Sequence, residues 1–174
     1  MHSNSPLLIN KFAFSIKKAL DLGFTGIMFD GSTLPYDKNV EIAKKVVEEA
    51  HKLGASVEAE IGALAAREGG DGEGKAIYTE PDDAARFVKD TKIDALACSF
   101  GTTHGIYLKA PKLNFDVVVN VRKVNAGIPV VMHGGSGVSK EDFHKAIASG
   151  VRKINYFTYM DKAAGAAMKE KADK

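Results

Sequence analysis

A chain of 174 residues with 45% hydrophobic content can bury one real core, and 1–174 reads as a single domain of a soluble globular protein. A net charge of +2 with 26% charged residues is too balanced for a nucleic-acid partner or an anionic membrane surface. One cysteine, Cys98, excludes a disulfide framework. No apolar run approaches the roughly 18 residues of a membrane helix, and MHSNSPLLIN lacks the flanks of a secretion signal; a cytoplasmic location is expected.

Along the chain, short β-rich runs alternate with amphipathic helical patterns. The runs are GIMFDG (26–31), SVEAEIG (56–62), ALACSFG (95–101), PVVMHGG (129–135) and KINYFT (153–158). Between them, apolar residues recur at three-and-four spacing in 39–54, 82–90, 115–127 and 140–150. Ser139 and Asp142 have capping-box spacing, and Thr79 with Pro81 marks another helix start. Strand–helix repetition of this kind predicts parallel strands joined by right-handed crossovers, an α/β fold. The stretch 65–76 is glycine-rich.

Asp30, Glu60, His104, His133 and Asn155 each fall at or just beyond the C-terminal end of a predicted strand. In a parallel sheet those ends share one face, the face on which such folds carry their sites. His51 and His144 lie within helical patterns and His2 in a terminus, where solvated or packing roles suffice. His104, in SFGTTHGIY, and His133, in VMHGGSG, stand beside glycines that let backbone approach a ligand. Either alone is equally a hydrogen-bonded strand-end residue. With Glu60 and Asp30 on the same face, the set points to a divalent metal site, although two histidines fall short of the three protein ligands a catalytic zinc usually has.

Successive amides in Gly134-Gly135-Ser136-Gly137, ahead of a helix, form an anion-binding turn. The neighbouring strand end adds Asn155 and Thr158, and in barrels the loops after the late strands are a frequent phosphate site. Glu68, in the glycine-rich loop, reads first as a solvated carboxylate; the alternative is a mobile proton carrier that closes over substrate.

These motifs resemble those of the class II, metal-dependent ketose-bisphosphate aldolases, in the fructose- and tagatose-bisphosphate branch. FDGSTLPYDKNV is similar to that family's strand-end D-G-S with its following proline and asparagine. VEAEIG resembles E-x-E-[LI]-G, SFGTTHGIY resembles G-T-x-H-G-x-Y, VMHGGSG resembles H-G-G-S-G, and KINYFT resembles K-[IV]-N-x-x-T. Order and spacing match from about Ala19 to Lys169.

The resemblance implies a (β/α)8 TIM-barrel type of fold. It implies Zn2+ as cofactor, with a monovalent cation near the phosphate site as an option. His104 and His133 would be zinc ligands, and Glu60 and Asp30 would line a second metal position. Gly105, Gly134, Gly135, Ser136, Asn155 and Thr158 would hold a substrate phosphate, and Glu68 would handle the proton of the dihydroxyacetone phosphate carbon. The implied reaction is reversible cleavage of fructose- or tagatose-1,6-bisphosphate to dihydroxyacetone phosphate and glyceraldehyde 3-phosphate. Zinc would polarise the ketose carbonyl and stabilise the charge left when the carbon–carbon bond breaks. The implied partners are the phosphorylated ketose and further copies of the chain, as a dimer or tetramer.

One departure bears on activity. Just before the helix matching FSIKKALDLG, the family carries a D-H-G motif that supplies a third zinc histidine and a proton-exchanging aspartate. Here the residues are Leu7-Leu8-Ile9-Asn10. The earlier barrel strands and the family's C-terminal arginine segment also have no counterpart, and about 250 residues is typical of a full barrel. The expectation is therefore an incomplete barrel of five or six parallel strands with outer helices. The alternative to an aldolase is a non-catalytic homologue, subunit or fragment that keeps phosphate binding.

Overall fold

The computed structural model describes residues 15–62, 78–103, 105–107 and 110–173. A first helical stretch, α1 (15–21), leads into β1 (Gly26–Phe29), α2 (Tyr36–Lys52), β2 (Ser56–Ile61), α3 (Pro81–Thr91) and β3 (Ala95–Cys98). These are followed by α4 (Phe115–Val124), β4 (Val130–Met132), α5 (Lys140–Ser149), β5 (Val151–Ile154) and α6 (Thr158–Ala172). The strands form one parallel sheet in the order β1-β2-β3-β4-β5, as the strand–helix alternation predicts.

Alternation along each strand separates two faces. Val57, Ala59, Ile61, Leu96, Val130 and Met132 point to the convex side and form a core with Ala43, Val47, Phe87, Val118 and Val121 of α2, α3 and α4. On α2 the buried residues Asn39, Ile42, Ala43, Val46, Val47 and Ala50 keep helical spacing, so one stripe faces the sheet. The opposite, concave side carries Met28, Glu58, Glu60, Ala97, Val131, His133 and Lys153 by the same alternation. At the start of the strands it opens into a trough of about 490 Å³ that Met28, Glu58 and Lys153 help to line.

The sheet curves strongly. Lys153 Nζ of β5 lies 2.6 Å from Glu58 Oε2 of β2, with two strands between them. In a flat sheet three strand spacings would separate those backbones by roughly 14 Å. Among the described residues the curve does not close, and β1 and β5 each pair on one side only. The architecture is the expected α/β, TIM-barrel type with five strands.

Local chemistry sets the helix boundaries. Ser139 caps α5, its Oγ accepting from the Asp142 N–H at 3.1 Å, as the spacing predicts. Pro81 opens α3, but Thr79 does not cap it. The Thr79 hydroxyl donates to Ile61 O (3.1 Å) and accepts from Ser99 N (2.8 Å), tying the ends of β2 and β3 together. The last strand also differs from expectation. It runs Val151–Ile154, with an irregularity that passes over Arg152 between the Val130 and Val131 pairings. Residues 155–157 leave the sheet and Thr158 begins α6, because the alanine- and lysine-rich TYMDKAAGAAMKEKA favours helix.

Candidate active site

The concave face gathers its ionisable groups past the middle of the sheet. Glu58 and Glu60, two residues apart on β2, point the same way, and His133 follows β4. Ala97 of β3, in register with Glu60 and with Val131 two residues before His133, puts only a small side chain on this face between β2 and β4. His133 Nε2 is 2.9 Å from Glu58 Oε1, and His133 Nδ1 is 3.3 Å from Glu60 Oε2. Relative exposures are 7% for His133, 7% for Glu58 and 2% for Glu60.

Buried charge persists only when paired. Burial pushes the Glu58 carboxyl up, but hydrogen bonds from His133 and Lys153 outweigh it and hold the group below the usual carboxylate range. Burial likewise disfavours the His133 imidazolium, yet Glu58 and Glu60 prevail and raise its pKa to about 9. Without a metal the cluster is therefore an ion-pair network.

Glu60 Oε2 is buried and makes no hydrogen bond, while its main-chain carbonyl accepts from Asn39 Nδ2 at 3.0 Å. Two donors of a tetrahedral zinc, each about 2.0–2.1 Å from the ion, stand about 3.3 Å apart. The 3.3 Å between His133 Nδ1 and Glu60 Oε2 fits that edge. An imidazole and a carboxylate are also the right chemistry for zinc. Among the described residues no three His, Cys, Asp or Glu side chains converge on a metal position. Asp30 is not drawn in. Its carboxylate is exposed and accepts from Ser32 N (3.0 Å) and Ser32 Oγ (2.7 Å). His104, Glu68 and Leu7-Leu8-Ile9-Asn10 lie outside the described residues.

Beside His133 lies a cleft of about 300 Å³ lined by Gly105, Gly134, Gly135, Ser136, Asn155 and Thr158, together with Phe157. All six residues expected to hold phosphate thus meet around one space. Two details differ from the sequence reading. The Gly135 N–H donates to Asn155 O at 3.0 Å, so this amide is committed to joining the two loops. The cleft also opens on the start of α6, not α5, and Ser136 Oγ accepts from Tyr159 N at 3.3 Å. The helix dipole available there is that of α6.

Tyr107 holds this corner together. Its hydroxyl donates to Gly134 O (2.8 Å) and accepts from Thr103 N (2.9 Å), pinning the β3–α4 loop to the turn after β4. Gly134 has φ +69°, and a Cβ there would run into the Thr103 carbonyl, so close approach of the loops requires glycine. Glu58, Lys153, Asn39 and Tyr107 stand in the motifs quoted from sequence but received no role there. For Glu58 a signal existed: a glutamate in mid-strand, two residues from Glu60, must share its face and find a partner.

A curved parallel sheet with a buried charge cluster on its concave face and a polar cleft beyond the carboxyl ends of β4 and β5 is in keeping with the architecture of (β/α)8-barrel enzymes. The chain belongs to the class-II fructose-bisphosphate aldolase family, whose family model matches residues 7–174. It is 42% identical over 154 residues to a fructose-bisphosphate aldolase of Staphylococcus epidermidis, covering 88% of this chain and 54% of that protein. A fructose-bisphosphate aldolase of Geobacillus stearothermophilus is 43% identical over 155 residues, covering 88% of this chain and 53% of the relative. The crystal structure of the YdjI aldolase from Escherichia coli K12 superposes with a TM-score of 0.79 at 39% identity, covering 91% of this chain and 55% of that one. The chain spans about half the length of the curated relatives it matches.

Proposed function

We propose that this chain carries the phosphate-binding half and part of the metal-binding half of a class II aldolase site. The reaction is reversible cleavage of fructose- or tagatose-1,6-bisphosphate to dihydroxyacetone phosphate and glyceraldehyde 3-phosphate. The observation that carries the reading is the cleft lined by Gly105, Gly134, Gly135, Ser136, Asn155 and Thr158, lying directly beside the buried His133–Glu60 pair. A ketose phosphate held in that cleft by its phosphate presents its carbonyl end toward His133.

Roles follow from chemistry. Ser136, Asn155 and the start of α6 at Thr158 offer hydroxyl, amide and main-chain donors to phosphate oxygens. His133 and Glu60, joined by His104, would hold Zn2+, with Asp30 at a second metal position reached by movement of its carboxylate away from Ser32. When bound, the metal supplies a Lewis acid for the ketose carbonyl. Glu68 would carry the proton of the dihydroxyacetone phosphate carbon. A cytoplasmic location and homo-oligomer formation suit the reading. No helix among the described residues is long and apolar enough to cross a membrane, and among those residues β1 and β5 each pair on one side only, which leaves edges for association.

A second reading rests on a specific observation of the sequence, at residues 7–10. With Leu7-Leu8-Ile9-Asn10 in place of D-H-G, the chain would bind phosphate without efficient turnover. A coupled assay of triose phosphate release from both bisphosphates, with added zinc, separates the two when run beside His133→Ala and a titration with inorganic phosphate. Turnover lost in His133→Ala supports the aldolase. Background rates with phosphate still bound at Ser136 and Asn155 support the second reading. Absence of both defeats each of them.

A further inference from the structure

We infer that Glu58 is a positioning residue that holds His133 in its Nε2–H form and turns Nδ1 toward the metal, with Lys153 anchoring the Glu58 carboxylate. The inference rests on the metal reading above and assigns a role to two residues that reading does not use.

The geometry is explicit. Glu58 Oε1 is 2.9 Å from His133 Nε2, and Glu58 Oε2 accepts from Lys153 Nζ at 2.6 Å. The two carboxylate oxygens thus serve two donors, and neither can swing away without losing one. Glu58 also has a fixed backbone, since it pairs in register with Met28 of β1 and Ala95 of β3. Both ring nitrogens face a carboxylate, which accepts and does not donate; the shorter contact, 2.9 Å to Glu58 against 3.3 Å to Glu60, places the proton of a neutral imidazole on Nε2. Nδ1 then faces Glu60 Oε2, the buried oxygen that makes no hydrogen bond. An outer carboxylate of this kind orients a metal-binding histidine and raises its basicity, and its loss typically costs roughly 10–100-fold in metal affinity.

Lys153 has its own part. Its side chain is 53% exposed in the concave trough while that of Glu58 is 8% exposed, so the lysine brings charge to a buried carboxylate from the open side. Removing it leaves Glu58 with one partner and freer to rotate. The link between β2 and β5 thereby couples sheet curvature to the orientation of the His133 ring.

The test uses the full chain, with zinc binding followed by calorimetry in the unmodified protein and in His133→Ala, Glu58→Leu, Glu58→Gln and Lys153→Met. Circular dichroism and thermal melts show which variants fold. Glu58→Leu should weaken zinc by roughly 10–100-fold. Glu58→Gln, which keeps an acceptor without the charge, should lie between it and the unmodified chain, and Lys153→Met should show a smaller loss. Nitrogen-15 NMR of labelled histidine should find zinc on Nδ1 and the proton on Nε2. A folded Glu58→Leu variant that binds zinc within twofold of the unmodified chain, or zinc on Nε2, overturns the inference. If the folded chain binds no zinc through His133, the metal reading fails separately. Glu58 is then judged on the metal-free ring at a pH high enough to leave the imidazole neutral. A dominant Nε2–H form lost in Glu58→Leu supports its role, and mixed tautomers in the unmodified chain overturn it.

Discussion

Lys153 and Glu58 meet at 2.6 Å although β3 and β4 lie between their strands. The contact requires curvature, and the same curvature brings His133 over β3 to both glutamates of β2. One geometric property therefore creates both the trough and the buried charge cluster.

The cluster predicts a pH dependence for the chain kept metal-free with a chelator. His133 has a folded pKa of about 9 against an ordinary 6.5, so its contribution is complete below pH 6.5 and is lost as pH rises through 9. Glu58 is held low, so its contribution is present above its ordinary value of 4.5 and is lost as pH falls. Stability from this cluster should be fullest between about pH 4.5 and 6.5 and decline by up to about 3 kcal/mol toward alkaline pH. Urea midpoints measured across that range should show the decline, and His133→Asn should flatten it.

Gly134→Ala should be destabilising by roughly 2 kcal/mol or more, from the left-handed backbone and from contact with the Thr103 carbonyl. Displacing Thr103 also breaks the Tyr107 bridge to Gly134 O, so the cleft beside His133 should loosen with the fold. Gly165→Ala provides the contrast. It sits within α6, has nothing within 4 Å of the added carbon, and should leave the urea midpoint unchanged or raise it.

Thr79→Val keeps the side-chain shape but removes the acceptor for Ser99 N and the donor to Ile61 O. Each buried group left unsatisfied costs about 1–3 kcal/mol. With two groups affected, denaturant unfolding should show a loss of about 2–6 kcal/mol, and Thr79→Ser should recover most of it. Recovery by valine alone would mean that shape, not the hydroxyl, matters at this position.

Cys98 is 3% exposed on the convex side, and burial followed by the charge of Glu60 pushes its thiol up to about 12. At pH 8 the folded chain should react with a thiol reagent only as fast as it opens, while the urea-unfolded chain reacts at once. Rapid labelling of folded protein would place Cys98 in a mobile or open region.

What the sequence determined by itself was local and periodic. Strand–helix alternation specified the parallel sheet, and Ser139 and Pro81 specified the starts of α5 and α3. The strand-end positions of Glu60, His133 and Asn155 followed because a parallel arrangement puts all those ends on one face. The turn Gly134-Gly135-Ser136 with Asn155 and Thr158 could be named for the same reason, while Gly105 came with the resemblance to the aldolase family. The tertiary structure decided what depends on curvature and packing. Glu58 and Lys153 look like ordinary strand charges until the sheet bends and joins them. Thr79 has the spacing of a cap but spends its hydroxyl on Ile61 and Ser99. The Gly135 N–H turns to the Asn155 carbonyl, and the helix start at the cleft is α6, which a strand reading of KINYFT concealed. Each of these depends on atoms many residues away in sequence, and no local pattern encodes which of them will meet.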